Sequence, residues 1–297
     1  MQIGNKEFHW GERTYVMGVL NATPDSFSGD GTLSGPDGLR RAVDRALRME
    51  DEGADIIDVG GESTRPAAVY PDARPVSESQ ELERVIPVIQ ELMRRLSCPI
   101  SIDTRKAAVA KEAVRAGAAM ANDVSMLADG DMAATVGRLG VPLVVSHIRA
   151  KAEYDEVVAD VANDLGAALK RAEADGLPRH MVIADPGIGF AKKYRHSMEL
   201  LRRLPELKAA VGLPLLLGTS RKSFIGAVLG TDADDRLEGT AATVTLSIAG
   251  GADIVRVHDV REMARVARMT DAIVRGWQGR PTADESPFFS SPPAGEG

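Results

Sequence analysis

The chain has 297 residues, 44% of them hydrophobic, and a formal net charge of −7 at pH 7. This length suits one large domain or two ordinary ones, and the negative charge, without a basic run, argues against a nucleic-acid-binding protein. No apolar run approaches the roughly 20 residues of a membrane span, and residues 1–10 lack the apolar stretch of a signal peptide. The single cysteine, Cys98, excludes an intrachain disulfide. We therefore expect a cytoplasmic protein.

Short apolar runs alternate along the chain with segments that have helical spacing. The runs are 15–20, 55–59, 99–102, 118–121, 141–145, 181–184, 215–217 and 253–257. The predicted helices are 36–52, 77–96, 106–116, 129–139, 153–175, 197–211, 237–249 and 260–277. Ser77 followed by Gln80 forms a capping box at the start of the second helix. Short continuous apolar runs are typical of parallel strands that are buried on both faces.

Eight strand–helix pairs predict an α/β protein with a single (β/α)8 barrel, a TIM barrel, over residues 15–278. Residues 1–14 form a lead-in, interpreted as a small hairpin that plugs one end. Residues 279–297 are rich in Pro, Ser and Gly and predict a disordered tail. The rival architecture is a doubly wound sheet, whose usual glycine fingerprint after the first strand is missing. In a barrel, right-handed crossovers place the carboxyl ends of all strands on one face.

Polar side chains follow the predicted strands where each strand ends. They are Asn21, Glu62, Ser63, Thr64, Arg65, Asp103, Asn122, Asp123, His147, Asp185, Ser220, Arg221, Lys222, Arg256 and His258. Taken singly, Asp103 could cap a helix, and Asn122 or Asp185 could close a turn. As a set they would surround one mouth of a barrel. Arg256 interrupts an apolar strand, and a cation at an inward position needs a partner or a bound anion.

Two chemistries meet at this mouth. Asp103, Asn122 and Asp185 supply acceptors and an amide that suit a flat nitrogen heterocycle with donor groups on its edge, and Lys222 adds a donor. The groups that suit a phosphate or diphosphate are Asn21, Arg256, His258 and the hydroxyls of residues 219–223. The combination predicts a site for a heterocycle that carries a diphosphate.

Seven motifs give the chain a family resemblance. They are LNATPDSFS (20–28), DVGGESTRP (58–66), SIDT (101–104), NDVS (122–125), DPGIGF (185–190), TSRKSF (219–224) and RVHDV (256–260). In this order they resemble the dihydropteroate synthases. The resemblance implies a TIM barrel, usually homodimeric, that requires Mg²⁺. It also implies a transferase that joins p-aminobenzoate to 6-hydroxymethyl-7,8-dihydropterin diphosphate, giving 7,8-dihydropteroate and diphosphate.

The resemblance also implies roles for individual residues. The pterin would be bound by Asp103, Asn122, Asp185, Phe190 and Lys222. The diphosphate would be bound by Asn21, Thr64, Arg256 and His258, with Asn21 also a ligand of Mg²⁺. The p-aminobenzoate pocket and its loops, where sulfonamides compete, would comprise Phe27, Thr64, Arg65, Pro66, Lys222 and Ser223. The catalytic set would be Asp103, Asp185, Lys222, Arg256 and His258, acting in diphosphate loss and arylamine attack on a pterin methylene cation.

The chain departs from the family pattern at three places. Ser146 stands where a Met that packs on the pterin is expected, which predicts weaker pterin binding. The loop after the first strand has Gly29-Asp30 in place of Asp-Gly, and Ala191 stands where Gly is common, a change we expect to be harmless.

Two other functions stay open. A pterin-binding methyltransferase would share the barrel, but the motifs at 219–224 and 256–260 argue against it. A non-catalytic paralogue should have lost the motifs at 58–66 or 219–224, and both are intact.

Overall fold

The strands of the molecule form a two-stranded hairpin and one parallel sheet. The computed structural model describes residues 1–23, 37–62 and 76–276. The hairpin pairs β1 (Gln2–Ile3) with β2 (Lys6–Glu7). The parallel strands are β3 (Tyr15–Asn21), β4 (Ile56–Gly60), β5 (Ile100–Asp103), β6 (Met120–Asp123), β7 (Leu143–Ser146), β8 (Val182–Asp185), β9 (Leu216–Leu217) and β10 (Ile254–Val257). Their order in the sheet is β8-β7-β6-β5-β4-β3-β10-β9.

Helices follow the strands and cover the outside of the sheet. They are α1 (Gly38–Asp51), α2 (Glu78–Met93), α3 (Ala107–Ala116), α4 (Met132–Leu139), α5 (Val157–Ala174), α6 (Tyr194–Arg202), α7 (Leu204–Val211), α8 (Ser223–Leu229), α9 (Leu237–Ala249) and α10 (Val260–Val274). The capping box at Ser77 is present, with the Gln80 N–H donating to Ser77 Oγ at 3.3 Å. No helix in the described ranges is long and apolar enough to cross a membrane.

The two ends of the sheet meet and close it into a barrel. Ala184 of β8 pairs with Leu215, the residue before β9, in a single parallel bridge. The Ala184 N–H also donates to the Pro214 carbonyl at 2.9 Å. We call this junction of β8 and β9 the seam. The structure confirms the predicted (β/α)8 barrel.

The barrel has an inner and an outer apolar core because successive strand residues face opposite sides. The outer core lies between the strands and the helices. The inner core contains Met17, Ile56, Met120, Val144, Ile183, Leu216 and Ile254 together with Ile3 and Phe8 of the hairpin segment. The Phe8 ring lies 4.5 Å, centroid to centroid, from the Tyr15 ring. The hairpin segment therefore closes the end of the barrel at which the strands begin.

Two sequence predictions differ from the structure in detail. The predicted helix 197–211 is two helices, α6 and α7, which are separated at Arg203. The helix α8 was not predicted. It has only seven residues and contains Gly226, so its helical signal is weak. The proposed tail at 279–297 lies outside the described residues.

Removing the Phe8 side chain should destabilise the barrel. Phe8 is 2% exposed, so Phe8→Ala would leave a cavity in the inner core and lower the free energy of unfolding by about 3 kcal/mol. Urea denaturation of the variant and of the wild type measures the change. Lys6→Ala, an exposed substitution in the same hairpin, should cost less than about 0.5 kcal/mol. Equal small losses for the two variants would show that the hairpin does not support the core.

Candidate active site

A partly buried arginine joins three strands at the barrel mouth. Arg256 of β10 donates from Nε to Asp58 Oδ2 of β4 at 2.6 Å and from Nη2 to Asp103 Oδ2 of β5 at 2.7 Å. Asp58 is 0% exposed and Asp103 is 6% exposed. The inward cation predicted from the sequence therefore has two carboxylate partners. Neither bond uses Nη1 of the guanidinium.

Asn122 extends this network to β6 and presents an acceptor. Its Nδ2 donates to Asp58 Oδ2 at 2.9 Å. The other side-chain oxygens, Asn122 Oδ1, Asp58 Oδ1 and Asp103 Oδ1, are buried and have no hydrogen-bond partner within the part of the chain that the structure describes. Buried acceptors without donors are costly, and each one in a native protein needs an explanation. A ligand with several N–H groups would satisfy them.

Asp185 lies at the end of β8, next to the seam. Its Oδ1 accepts from the Gly187 N–H at 2.7 Å, and its Oδ2 accepts from Ser146 Oγ at 2.9 Å. Ser146 is 0% exposed. The structure thus gives Ser146, which stands where a Met was expected, a hydrogen bond to the carboxylate of Asp185. Whether this residue weakens pterin binding stays a prediction.

Lys222, which follows β9, and Phe190, which follows β8, contact each other across the seam. The Lys222 Nζ is 4.0 Å from the centroid of the Phe190 ring, a cation–π contact. Lys222 is the N-cap of α8, and Phe190 follows β8. Both side chains are partly exposed. Ser223, expected to border the p-aminobenzoate pocket, is exposed at the first position of α8.

Of the four residues predicted to bind the diphosphate, Asn21 lies at the end of β3, and Arg256 and His258 lie at the end of β10. Asn21 is the last residue of β3 and is partly exposed. His258 follows β10, and its Nδ1 lies 3.0 Å from Ser220 Oγ. Arg221, the other cation of that turn, pairs with Asp259 through Nε at 3.0 Å. Asn21 and His258 therefore lie at the mouth with Arg256, whereas Arg221 forms an ion pair with Asp259.

Burial shifts the protonation equilibria of the site. It raises the pKa of Asp103 to about 7, although Arg256 opposes the shift, and the nearby Asp58 carboxylate adds to it. Burial also raises the pKa of Asp185, against the hydrogen bonds from Gly187 and Ser146. It lowers the pKa of Lys222 to about 8, although Asp185 opposes the shift. The cost of ionising these groups in the free protein would fall when a ligand pairs with them.

Several other polar residues at strand ends are engaged by neighbouring protein groups. His147 is buried and hydrogen-bonds through Nε2 to Asp164 of α5 at 3.0 Å. Asp123 accepts from the backbone N–H groups of Ser125 and Leu127 and so closes its own turn. Glu62 pairs with Arg105 and Lys106 at 2.6 Å each. Phe27, Thr64, Arg65, Pro66 and the Gly29-Asp30 variant lie outside the described residues.

Sequence reasoning missed Asp58 as a site residue and misjudged Ala191. Asp58 is a charged residue within an otherwise apolar strand. The same pattern identified Arg256, so the sequence contained enough information to predict Asp58 as well. Ala191 has a φ of +44°, in the left-handed region. An alanine there costs about 1 kcal/mol relative to glycine, so the substitution is not harmless.

A metal site built only from protein side chains is not evident. Among residues 1–23, 37–62 and 76–276 no group of three or more His, Cys, Asp or Glu residues could hold a metal ion. Asn21 contributes one amide oxygen at the mouth, a donor type that Mg²⁺ accepts. Mg²⁺ is commonly bound by one or two side chains together with substrate phosphates and water. The donor set therefore fits an ion that arrives with a diphosphate.

Replacing Asp58 by Asn should lower the pKa of Asp103. The Asp58 charge disfavours the ionised form of Asp103, so its removal favours ionisation, and we expect the pKa to fall from about 7 by about one pH unit. A carbon-13 NMR titration of the Asp103 carboxyl measures the change. Asp44→Asn, which removes an exposed acid on α1, should leave the titration unchanged. An unchanged or higher pKa in Asp58→Asn would contradict the coupling.

Comparisons with known proteins identify the family of the chain. Residues 17–258 match the pterin binding enzyme family. Dihydropteroate synthase from Clostridium beijerinckii is 47% identical over 277 residues, which cover 93% of this chain and 100% of the relative. The structure of Clostridium difficile dihydropteroate synthase in the presence of pteroic acid has a TM-score of 0.85 at 46% identity, covering 91% of this chain and 100% of that chain. A Yersinia pestis dihydropteroate synthase with a sulfonamide drug complex has a TM-score of 0.82 at 37% identity, covering 88% and 94%. The chain is a member of the dihydropteroate synthase family.

Proposed function

We propose that the chain is a transferase that condenses 6-hydroxymethyl-7,8-dihydropterin diphosphate with p-aminobenzoate, giving 7,8-dihydropteroate and diphosphate. One observation carries this proposal: within residues 1–23, 37–62 and 76–276, Asp103 Oδ1 and Asn122 Oδ1 are buried acceptors without donors. The same mouth holds Asp185 and Lys222. A pterin carries an amino group and ring N–H groups along its edge. These donors match the acceptors, and Lys222 matches the ring carbonyl.

The same residues suit the proposed chemistry. Loss of diphosphate leaves a pterin methylene cation, and the carboxylates of Asp103 and Asp185 would stabilise that charge. Arg256 and His258 would bind the departing diphosphate oxygens, as charge-assisted donors. The arylamine of p-aminobenzoate then forms the new C–N bond at the methylene carbon and releases its proton to water. No covalent bond to the protein is needed.

Mg²⁺ is the proposed cofactor, with Asn21 as its protein ligand. When bound, the ion would neutralise charge on the diphosphate and so favour its departure. Asn21, at the end of β3, supplies an amide oxygen of a type that Mg²⁺ accepts, near the proposed position of the diphosphate beside Arg256.

We further propose that sulfonamides compete with p-aminobenzoate in this protein. The support is the 37% identical Yersinia pestis structure, whose name includes a sulfonamide drug complex. The residues proposed to border that pocket are Phe27, Thr64, Arg65, Pro66, Lys222 and Ser223, of which Lys222 and Ser223 lie in the described ranges.

The first test is formation of dihydropteroate from the two substrates, with and without Mg²⁺. We expect product that depends on Mg²⁺, and a loss of at least about a hundredfold in kcat/KM in Lys222→Met, because that variant lacks the ammonium in the pterin site. Product assays by chromatography measure both. Binding of dihydropterin diphosphate without product formation would favour the non-catalytic paralogue.

The pH dependence tests the charge on Lys222. Its pKa is lowered to about 8, so the ammonium is present below that pH and lost above it. The kcat/KM for dihydropterin diphosphate should therefore fall as the pH rises through about 8. Lys222→Arg keeps its charge at this pH, and its profile should lack that fall. A fall at the same pH in both proteins would assign the titration to another group.

We also propose that the chain forms a homodimer through the outer faces of α8, α9 and α10. Of the 11 exposed large apolar side chains in the described residues, seven lie on these three helices: Val228, Leu229, Leu237, Leu246, Met269, Ile273 and Val274. The helix α9 packs against both α8 and α10, so the seven side chains share one side of the barrel. A second copy of the same apolar surface would cover it in a self-complementary contact.

A charge on this surface should separate the subunits. Ile273 is 71% exposed, and Ile273→Asp would bury an unpaired carboxylate in the proposed interface. Sedimentation velocity should give a dimer for the wild type and a monomer for Ile273→Asp. Leu39→Asp, at an exposed apolar position on α1, should remain a dimer. A monomeric wild type at micromolar concentration would refute the proposal.

A further inference from the structure

The segment that carries Phe190 lies directly against the end of β7. A Cβ atom at Gly187, where φ is +65°, would lie 1.9 Å from the carbonyl oxygen of His147, so the two backbones touch with no room for a side chain. Four residues later Ala191 has a φ of +44°. A backbone held in this conformation needs compensating interactions around it.

The side-chain amine of Lys192 supplies these interactions. Burial lowers its pKa to about 7, and its protonated form carries three N–H groups. Its Nζ lies 2.9 Å from His147 Nδ1, 3.4 Å from the His147 carbonyl oxygen and 3.2 Å from the Phe190 carbonyl oxygen. The three N–H groups of the ammonium thus have three acceptors on two neighbouring segments. Lys192 is 8% exposed. A buried lysine whose close partners are a neutral ring and two carbonyls is not an ordinary ion pair.

His147 is held as a neutral ring. Burial lowers its pKa to about 4, and the adjacent Lys192 charge acts in the same direction. Nδ1 accepts from Lys192, so Nε2 carries the proton and donates to Asp164 Oδ2 at 3.0 Å. Asp164 is fixed in turn by Arg149 Nε at 2.6 Å. The acceptor of the Lys192 bond is therefore anchored on α5.

We propose that Lys192 is a positioning residue for the pterin site, and that it acts by tying the Phe190 carbonyl to the end of β7. This inference rests on the proposed function. Phe190 faces the Lys222 ammonium at 4.0 Å, and Asp185 begins the segment that Lys192 closes. Without the ammonium, Phe190 would sample other positions. Part of the free energy of pterin binding would then be lost in ordering Phe190.

The test uses Lys192→Met, which keeps the length of the side chain and removes the ammonium. We expect the KM for dihydropterin diphosphate to rise roughly tenfold or more, with little change in the KM for p-aminobenzoate at saturating pterin. Amide hydrogen exchange of residues 186–192 should accelerate by about the same factor. Lys192→Arg, which restores a cation with several donors, should recover part of both effects. Lys193→Met, at the exposed neighbouring lysine, should change neither.

A second variant and hydrogen exchange complete the test. If Lys192→Met does not fold, Lys192→Gln, which keeps two N–H donors, takes its place and should give smaller shifts in the same direction. An equal rise in both KM values, or wild-type exchange in residues 186–192, would overturn the positioning role. Hydrogen exchange needs no turnover: if the wild type makes no dihydropteroate and this exchange still accelerates in the variant, the proposed function fails while the structural tie stands.

Discussion

The guanidinium of Arg256, held between two carboxylates, is the interaction on which the barrel mouth depends. In the sheet, Asp58 lies two strands from β10 and Asp103 lies three strands from it. Only the closed curvature of the barrel brings them within hydrogen-bond distance of one arginine. A single buried ion would cost several kcal/mol, so the three side chains are stable only as a set.

This set also explains the electrostatics of the site. Two carboxylates face one guanidinium, so the cluster has an excess of negative charge in a region of low dielectric. Burial raises the pKa of Asp103 to about 7, and the charge of Asp58 adds to this shift while Arg256 opposes it. Buried carboxylate and amide oxygens of this set also accept no hydrogen bond from the residues that the structure describes. A cationic or N–H-rich ligand is the partner such a site favours.

The barrel could be predicted from the sequence because its strands are short, apolar and regularly spaced, and Arg256 could be found because it breaks such a strand. The direction of polar side chains at the strand ends was harder to predict. Asn122 belongs to the mouth while its neighbour Asp123 closes a turn, and Ser146 bonds Asp185 while His147 bonds α5. Adjacent strand residues face opposite sides of the sheet. Once the direction of one residue in each pair is known, the direction of its neighbour therefore follows. The position in the sequence alone does not show which of the two residues faces the mouth.

The position of the site at the seam links ligand binding to the stability of the barrel. A single bridge at Ala184 joins β8 to β9, which makes this the least hydrogen-bonded junction of the barrel in the described residues. Asp185 follows one side of it, and Lys222 follows the other. A pterin held by both would act as a cross-link over the weakest joint. Substrate binding and opening of the barrel would then be linked equilibria. A higher substrate concentration would raise the free energy of unfolding.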